Sequence, residues 1–82
     1  MNNFHELIAK RIRRLLKARH WTQYKLSQRS AIPQSTISYI LKGKGKFLSS
    51  ETLLNICRGF DIRVVDFFDD ELFEPENIAD NF

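Results

Sequence analysis

Residues 22–43 read TQYKLSQRSAIPQSTISYILKG. The stretch divides into two short helices around a sharp turn at Ala31 and Ile32, the first over 22–30 and the second over 33–43. Leu26, Ser27, Ile32, Ile37, Ile40 and Leu41 form the inward set. Ile37, Ile40 and Leu41 stand at i, i+3 and i+4, so they share one face of the second helix. Gln34, Ser35, Ser38, Tyr39 and Lys42 fall on the opposite side. That face offers amides, hydroxyls and a cation, but no carboxylate. Its chemistry suits the major groove of a duplex, where base edges present donors and acceptors and the backbone presents phosphates.

Local signals support these boundaries. Thr22 is a good N-cap, its hydroxyl able to accept a free helix N–H. Trp21 and Leu26 then have the N′ and N4 spacing of a hydrophobic staple, so Trp21 reads as structural rather than as a base-stacking residue. Gly43 is placed to end the second helix in the left-handed conformation.

Taken together, Thr22-Gln23, Leu26-Ser27, the Ala31-Ile32 turn, Gln34-Ser35-Thr36-Ile37-Ser38 and Gly43 resemble the helix-turn-helix of the lambda-repressor-like regulators. These are also called the Cro/C1 or xenobiotic-response-element type. The likeness extends outward through a first helix and through residues 49–68. It implies an all-α fold, a compact bundle of five short helices, and binding of double-stranded DNA. It implies base reading by Gln34, Ser35 and Tyr39. Thr36 and Ser38 would touch backbone or a thymine methyl, and Tyr39 could equally meet phosphate or lie across sugar. Thr22, Gln23, Lys42, Lys44 and Lys46 would contact phosphate, with Gln23 bracing Gln34.

Four positions among residues 16–41 depart from the family pattern. Ala31 stands where Gly is usual, and a positive φ there costs an L-residue roughly 1–2 kcal/mol. Pro33 replaces a capping Ser; it has no capping group, but its fixed φ suits the first turn of a helix. Leu16 and Leu41 occupy positions where relatives often pair an Arg with a Glu. An apolar contact in place of the ion pair avoids desolvating two charges.

The 82 residues make one domain. A chain of this size buries about 60% of its unfolded surface. Charge is strongly polarised. Residues 1–46 hold eleven Lys or Arg against the single acid Glu6, a net +10, whereas residues 47–82 hold two Arg against nine acids, a net −7. A basic front and an acidic back suit a protein that binds a polyanion in one orientation.

A first helix is expected over 4–20, with Phe4, Ile8, Ile12, Leu15 and Leu16 inward. Lys10, Arg11, Arg13, Arg14, Lys17 and Arg19 crowd the rest of it, for solvent or for phosphate. The lysines of Lys42-Gly43-Lys44-Gly45-Lys46 can approach a phosphate strand, but the spacing is not that of a P-loop. Ser49 is expected to cap a fourth helix, with Leu53, Ile56, Cys57 and Phe60 inward. A short fifth helix follows over 64–69, with Val64, Phe67 and Phe68 available for packing and the unusual Arg63 at its cap.

The DNA-binding domain is therefore placed at 1–69, with an acidic tail over 70–82 that Pro75 keeps from being one helix. Leu72, Phe73, Ile78 and Phe82 in that tail would fold back, form a dimer contact or meet another protein.

Catalysis finds no support. His5 and His20 lack a nucleophile or carboxylate at a motif spacing. One Cys and two His make no zinc signature, and the tail acids lack the alternation of a calcium loop. No catalytic residue, metal or cofactor is expected. There is no apolar run of the ~18 residues needed to span a membrane. The N-terminus has no signal-peptide core. The expected protein is a cytoplasmic, homodimeric regulator on a palindromic operator, most simply a repressor. The alternative is an antitoxin-like interaction module whose tail binds a partner protein.

Overall fold

Three helix starts are set by side-chain caps that the local sequence supplies. Asn3, Thr22 and Ser49 each accept a backbone N–H three residues on, from Glu6, Lys25 and Thr52. The helices that follow in this computed structural model, which describes residues 3–43 and 48–78, are α1 (Phe4–Arg19), α2 (Gln23–Ser30), α3 (Gln34–Leu41), α4 (Ser50–Phe60) and α5 (Val64–Phe68). Two single 3₁₀ turns, Glu71–Phe73 and Pro75–Asn77, complete the described chain. The architecture is the expected all-α bundle of five short helices.

Three helices end on a non-glycine residue in the left-handed region: His20 (φ 57°), Ala31 (φ 59°) and Asp61 (φ 59°). Ala31 thus adopts the conformation that its place in the turn demands. Gly43 does the same after α3, at φ 78°. Pro33 is displaced from its expected place. It sits at the N-cap of α3 with ψ 142°, and Gln34 is the first helical residue. Lacking a capping side chain, Pro33 contributes its carbonyl, which accepts from the amides of Thr36 and Ile37.

One core joins the helices: Ile8, Ile12 and Leu16 of α1, Leu26 of α2, Ile37, Ile40 and Leu41 of α3, Ile56, Cys57 and Phe60 of α4, and Phe67 of α5. Leu16 and Leu41 are both buried in it, so no ionised group is taken into the core at that point. Leu7 and Ala9 are buried as well, which the sequence pattern did not indicate. Burial also raises the pKa of the Cys57 thiol, with the charge of Arg11 pulling weakly the other way.

Four side chains differ from expectation. Ser27 is only half-buried and its hydroxyl donates to the Tyr24 carbonyl at 2.7 Å. The buried serine is Ser30, one helical turn beyond Leu26 on the same stripe. Its hydroxyl donates to the Leu26 carbonyl at 2.7 Å and accepts the Ile32 amide at 3.3 Å, so it tethers the turn. Phe4 remains 41% exposed, with one ring face stacked on Phe68 and its edge toward Phe73. Val64 is exposed beside Val65, because α5 buries only Phe67 fully.

Three of the six cations of α1, Arg11, Arg13 and Arg14, are engaged inside the molecule. Arg11 donates to the carbonyls of Asp66 and Phe67 at 2.8 and 2.7 Å, closing the end of α5. Asp70 then pairs with both Arg11 (3.3 Å) and Arg14 (3.0 Å). Leu72 is buried and Phe73 packs among Phe4, Phe67 and Phe68. These two apolar residues of the acidic segment therefore fold back on the bundle. Ile78 is half-buried, and Phe82 lies outside the described residues.

Candidate nucleic-acid interface

The outer face of α3 is set by its inner one. Burial of Ile37, Ile40 and Leu41 fixes the rotation of the helix, and Gln34, Ser35 and Lys42 emerge exposed. Thr36, Ser38 and Tyr39 flank them half-buried. Three of the five residues expected on the outer face are thus exposed, and Ser38 and Tyr39 are partly covered. Among the described residues, the side chains of Gln34 and Ser35 make no hydrogen bond within the protein, so their donors and acceptors stay available. Tyr39 does have an intramolecular contact.

No acid occurs between Glu6 and Glu51, so α2, the turn and α3 carry no carboxylate of their own. Glu6 itself approaches the far end of α3: its Cγ lies 3.0 Å from where a Cβ on Gly43 would stand. Asn3 ties the Glu6 carboxylate back toward the start of α1 at 3.0 Å. On the other side of this junction, the Arg13 guanidinium donates to the Leu41 carbonyl at 2.8 Å. It thereby satisfies an open carbonyl at the C-terminus of α3 and favours the negative end of its dipole. A shallow depression of about 320 Å³ between α1 and the end of α3 is lined by Glu6, Ala9, Lys10, Arg13, Leu41, Lys42 and Gly43.

The first turn of α2 presents Thr22 and Gln23. The Thr22 oxygen accepts the Lys25 amide at 3.1 Å, which leaves its O–H free to donate outward. Gln23 is half-buried, and the bracing hydrogen bond between Gln23 and Gln34 is not made. Each amide is left to act alone. Lys44 and Lys46 lie outside the described residues.

Trp21 is structural, as expected, but through a partner not anticipated. Its indole stacks on Phe60 of α4 with ring centres 5.4 Å apart and planes 12° from parallel. Leu26 is buried in the same core against which Trp21 packs. The contact joins the α1–α2 corner to the C-terminus of α4, and so orients the start of α2. Gly59 permits the close crossing of α2 and α4 beside it: a Cβ there would stand 3.0 Å from both the amide nitrogen and Cβ of Ser30. A glycine inside a helix flanked by core residues was the available signal for that crossing.

Among the described residues no group of three or more His, Cys, Asp or Glu side chains could hold a metal ion. No helix of the described residues is long and apolar enough to cross a membrane.

Two short helices, a tethered turn and an acid-free outer face of amides and hydroxyls define a helix-turn-helix DNA-binding unit. Comparison with protein families bears this out: the model of the Cro/C1-type HTH DNA-binding domain matches residues 11–72, and the chain belongs to that family. Neither a curated protein nor a solved structure gives a match. The family match carries DNA binding and the character of a DNA-binding transcriptional regulator; it begins within α1 and ends in the Glu71–Phe73 turn.

Proposed function

We propose that the protein is a sequence-specific repressor that acts by occupying an operator. The observation that carries this reading is the outer face of α3, where Gln34 and Ser35 are exposed, unengaged and far in sequence from any acid. Gln34 reads adenine through its amide, and Ser35 and Tyr39 read neighbouring base edges. Thr22, Gln23, Thr36, Ser38, Lys42, Lys44 and Lys46 hold phosphates on either side, which sets the register of the reading helix. The protein works in the cytoplasm, needs no cofactor and performs no catalysis.

A homodimer on a palindrome places two such helices about one helical turn of DNA apart. The exposed apolar side chains Val64, Val65 and Leu54 supply a surface for that dimer on α4 and α5. The antitoxin-like alternative has less support. Leu72 and Phe73, which would have formed its partner-binding tail, are packed against the domain.

Selection of bound sequences from a random duplex pool tests the reading. An enriched palindrome is expected, and Gln34→Ala should lose about 1–3 kcal/mol of discrimination at one or two base pairs. Equal weakening on all sequences would remove Gln34 from base reading. A pool with no enriched sequence would sink the regulator proposal as a whole.

A further inference from the structure

Three cations converge on one indole. The charged groups of Arg19, Arg29 and Lys25 lie 5.3, 5.5 and 6.0 Å from the centre of the Trp21 ring. Arg19 also lies 5.5 Å from the Phe60 ring stacked against it. By that geometry the three charges fall within about 12 Å of one another, comparable with the ~8 Å screening length of physiological salt. A binding partner therefore meets them as one positive patch.

The contrast with α1 gives the patch its meaning. Arg11 and Arg14 share Asp70, and Arg13 is spent on the Leu41 carbonyl. Among the described residues, Arg19, Lys25 and Arg29 have no carboxylate within ion-pair distance. Their mutual repulsion is opposed only by the ring. The ring also restricts where the long side chains go, so less conformational freedom is lost when an anion arrives. Lys25 shares its helical turn with Thr22, whose oxygen holds the Lys25 amide, so the patch continues directly from the end of α2 assigned to phosphate.

We propose that this Trp21-centred cluster is a second phosphate clamp, which grips the duplex backbone outside the half-site read by α3. Its ligand is the sugar–phosphate strand of flanking DNA, and its contribution is independent of sequence. The proposal rests on the DNA-binding reading above. It extends the footprint sideways, through residues that lie outside the reading helix and the lysine loop after it.

The test uses the full chain and a Lys25→Gln/Arg29→Gln double variant, which keeps most of each side-chain stem over the ring. The probes are a duplex carrying the selected site with long flanks, the same site trimmed to its palindrome, and a random duplex. On the long duplex each protomer of the variant dimer loses two phosphate contacts, so the salt slope should be smaller by about 3.6, at roughly 0.9 per phosphate lost. The variant's disadvantage against the parent should therefore shrink about a hundredfold between ~50 and ~200 mM salt. Parent and variant should bind the trimmed site alike, and the preference for the selected site over random DNA should be unchanged.

Trp21 is the chain's single tryptophan, so its fluorescence offers a second readout. Emission should change with the long duplex and not with the trimmed one. An unchanged slope together with silent Trp21 emission, in a parent that still selects its site, overturns the clamp and leaves the repressor reading standing. A Trp21 response to an acidic polypeptide but not to the long duplex overturns it too, and assigns the patch to a protein partner.

Discussion

Replacing Gly59 by Ala adds one methyl at the close crossing of α2 and α4. The new Cβ would stand 3.0 Å from the Ser30 amide nitrogen, 3.0 Å from its Cβ and 3.1 Å from its Cα. Ordinary carbon contacts are ~3.5–4.0 Å, so the neighbours must retreat by about half an ångström. Two of the three atoms are α2 backbone, and no flexible side-chain end can absorb the shift. Overpacking of this kind costs about 1–3 kcal/mol, and the rigid neighbour places it toward the upper end. The gain in helix propensity from Gly to Ala returns about 1 kcal/mol. The net loss is then about 2 kcal/mol, which for a domain of this size lowers Tm by roughly 8–16 °C. Thermal and urea melts followed by circular dichroism measure it. A Tm equal to or above the parent's would refute the reasoning, because propensity alone would then have decided the outcome. Ser30 also holds the Ile32 amide, so a retreating α2 should disturb the entry into α3 and, on the proposed reading, weaken base discrimination by Gln34.

Three further outcomes follow from local geometry. Ala31→Gly should stabilise the fold by about 0.5–1 kcal/mol, since φ 59° strains an L-residue by more than glycine loses in the unfolded chain; a lower Tm would contradict this. Ser30→Ala should destabilise by about 1–2 kcal/mol, because the buried Ile32 amide loses its acceptor; a melt superimposable on the parent's would show that the tether carries no energy. The Arg63 guanidinium, bonded to Asp66 at 3.0 and 2.9 Å, holds the Asp66 carboxyl below the ordinary aspartate range. A folded value below the unfolded one means that the unfolded chain takes up the proton first on acidification. The contribution is thus complete above the unfolded pKa of ~3.9 and disappears as pH falls through the folded value. Asp66→Asn should remove that part of the acid-side loss, and an Asp66 titration by NMR that coincides with a free aspartate would dismiss the pairing.

What the sequence made legible was mostly local. The Thr22 and Ser49 caps, the positive φ at Ala31 and Gly43, and the inward trio Ile37, Ile40 and Leu41 each depend on neighbours within one or two turns. The exposure of Gln34, Ser35 and Lys42 follows from that trio, so this part of the outer face of α3 was legible as well. The misplacements came where two positions of one helix compete or where the partner is distant. Ser27 and Ser30 differ by less than a helical turn, and only the packed angle of α2 decides which goes inside. Pro33 satisfies either the first helical position or the cap, and the ψ set by the turn selects the cap. The fate of Arg11 was not legible, since its partners at Asp66, Phe67 and Asp70 lie 55, 56 and 59 residues away. No periodicity in α1 marks which of its cations will be spent on the protein itself.

That long-range clasp bears on how the molecule breathes. It ties the first helix to the end of α5 and the start of the Glu71–Phe73 turn, so both margins of the domain share one opening event. Deuterium should enter the amides of the first half of α1 and those of the Glu71–Phe73 turn at matched free energies, as a single unit. The α3 amides behind Ile37 and Ile40 should outlast them, which would keep α3 aligned on the core while the clasp opens and closes.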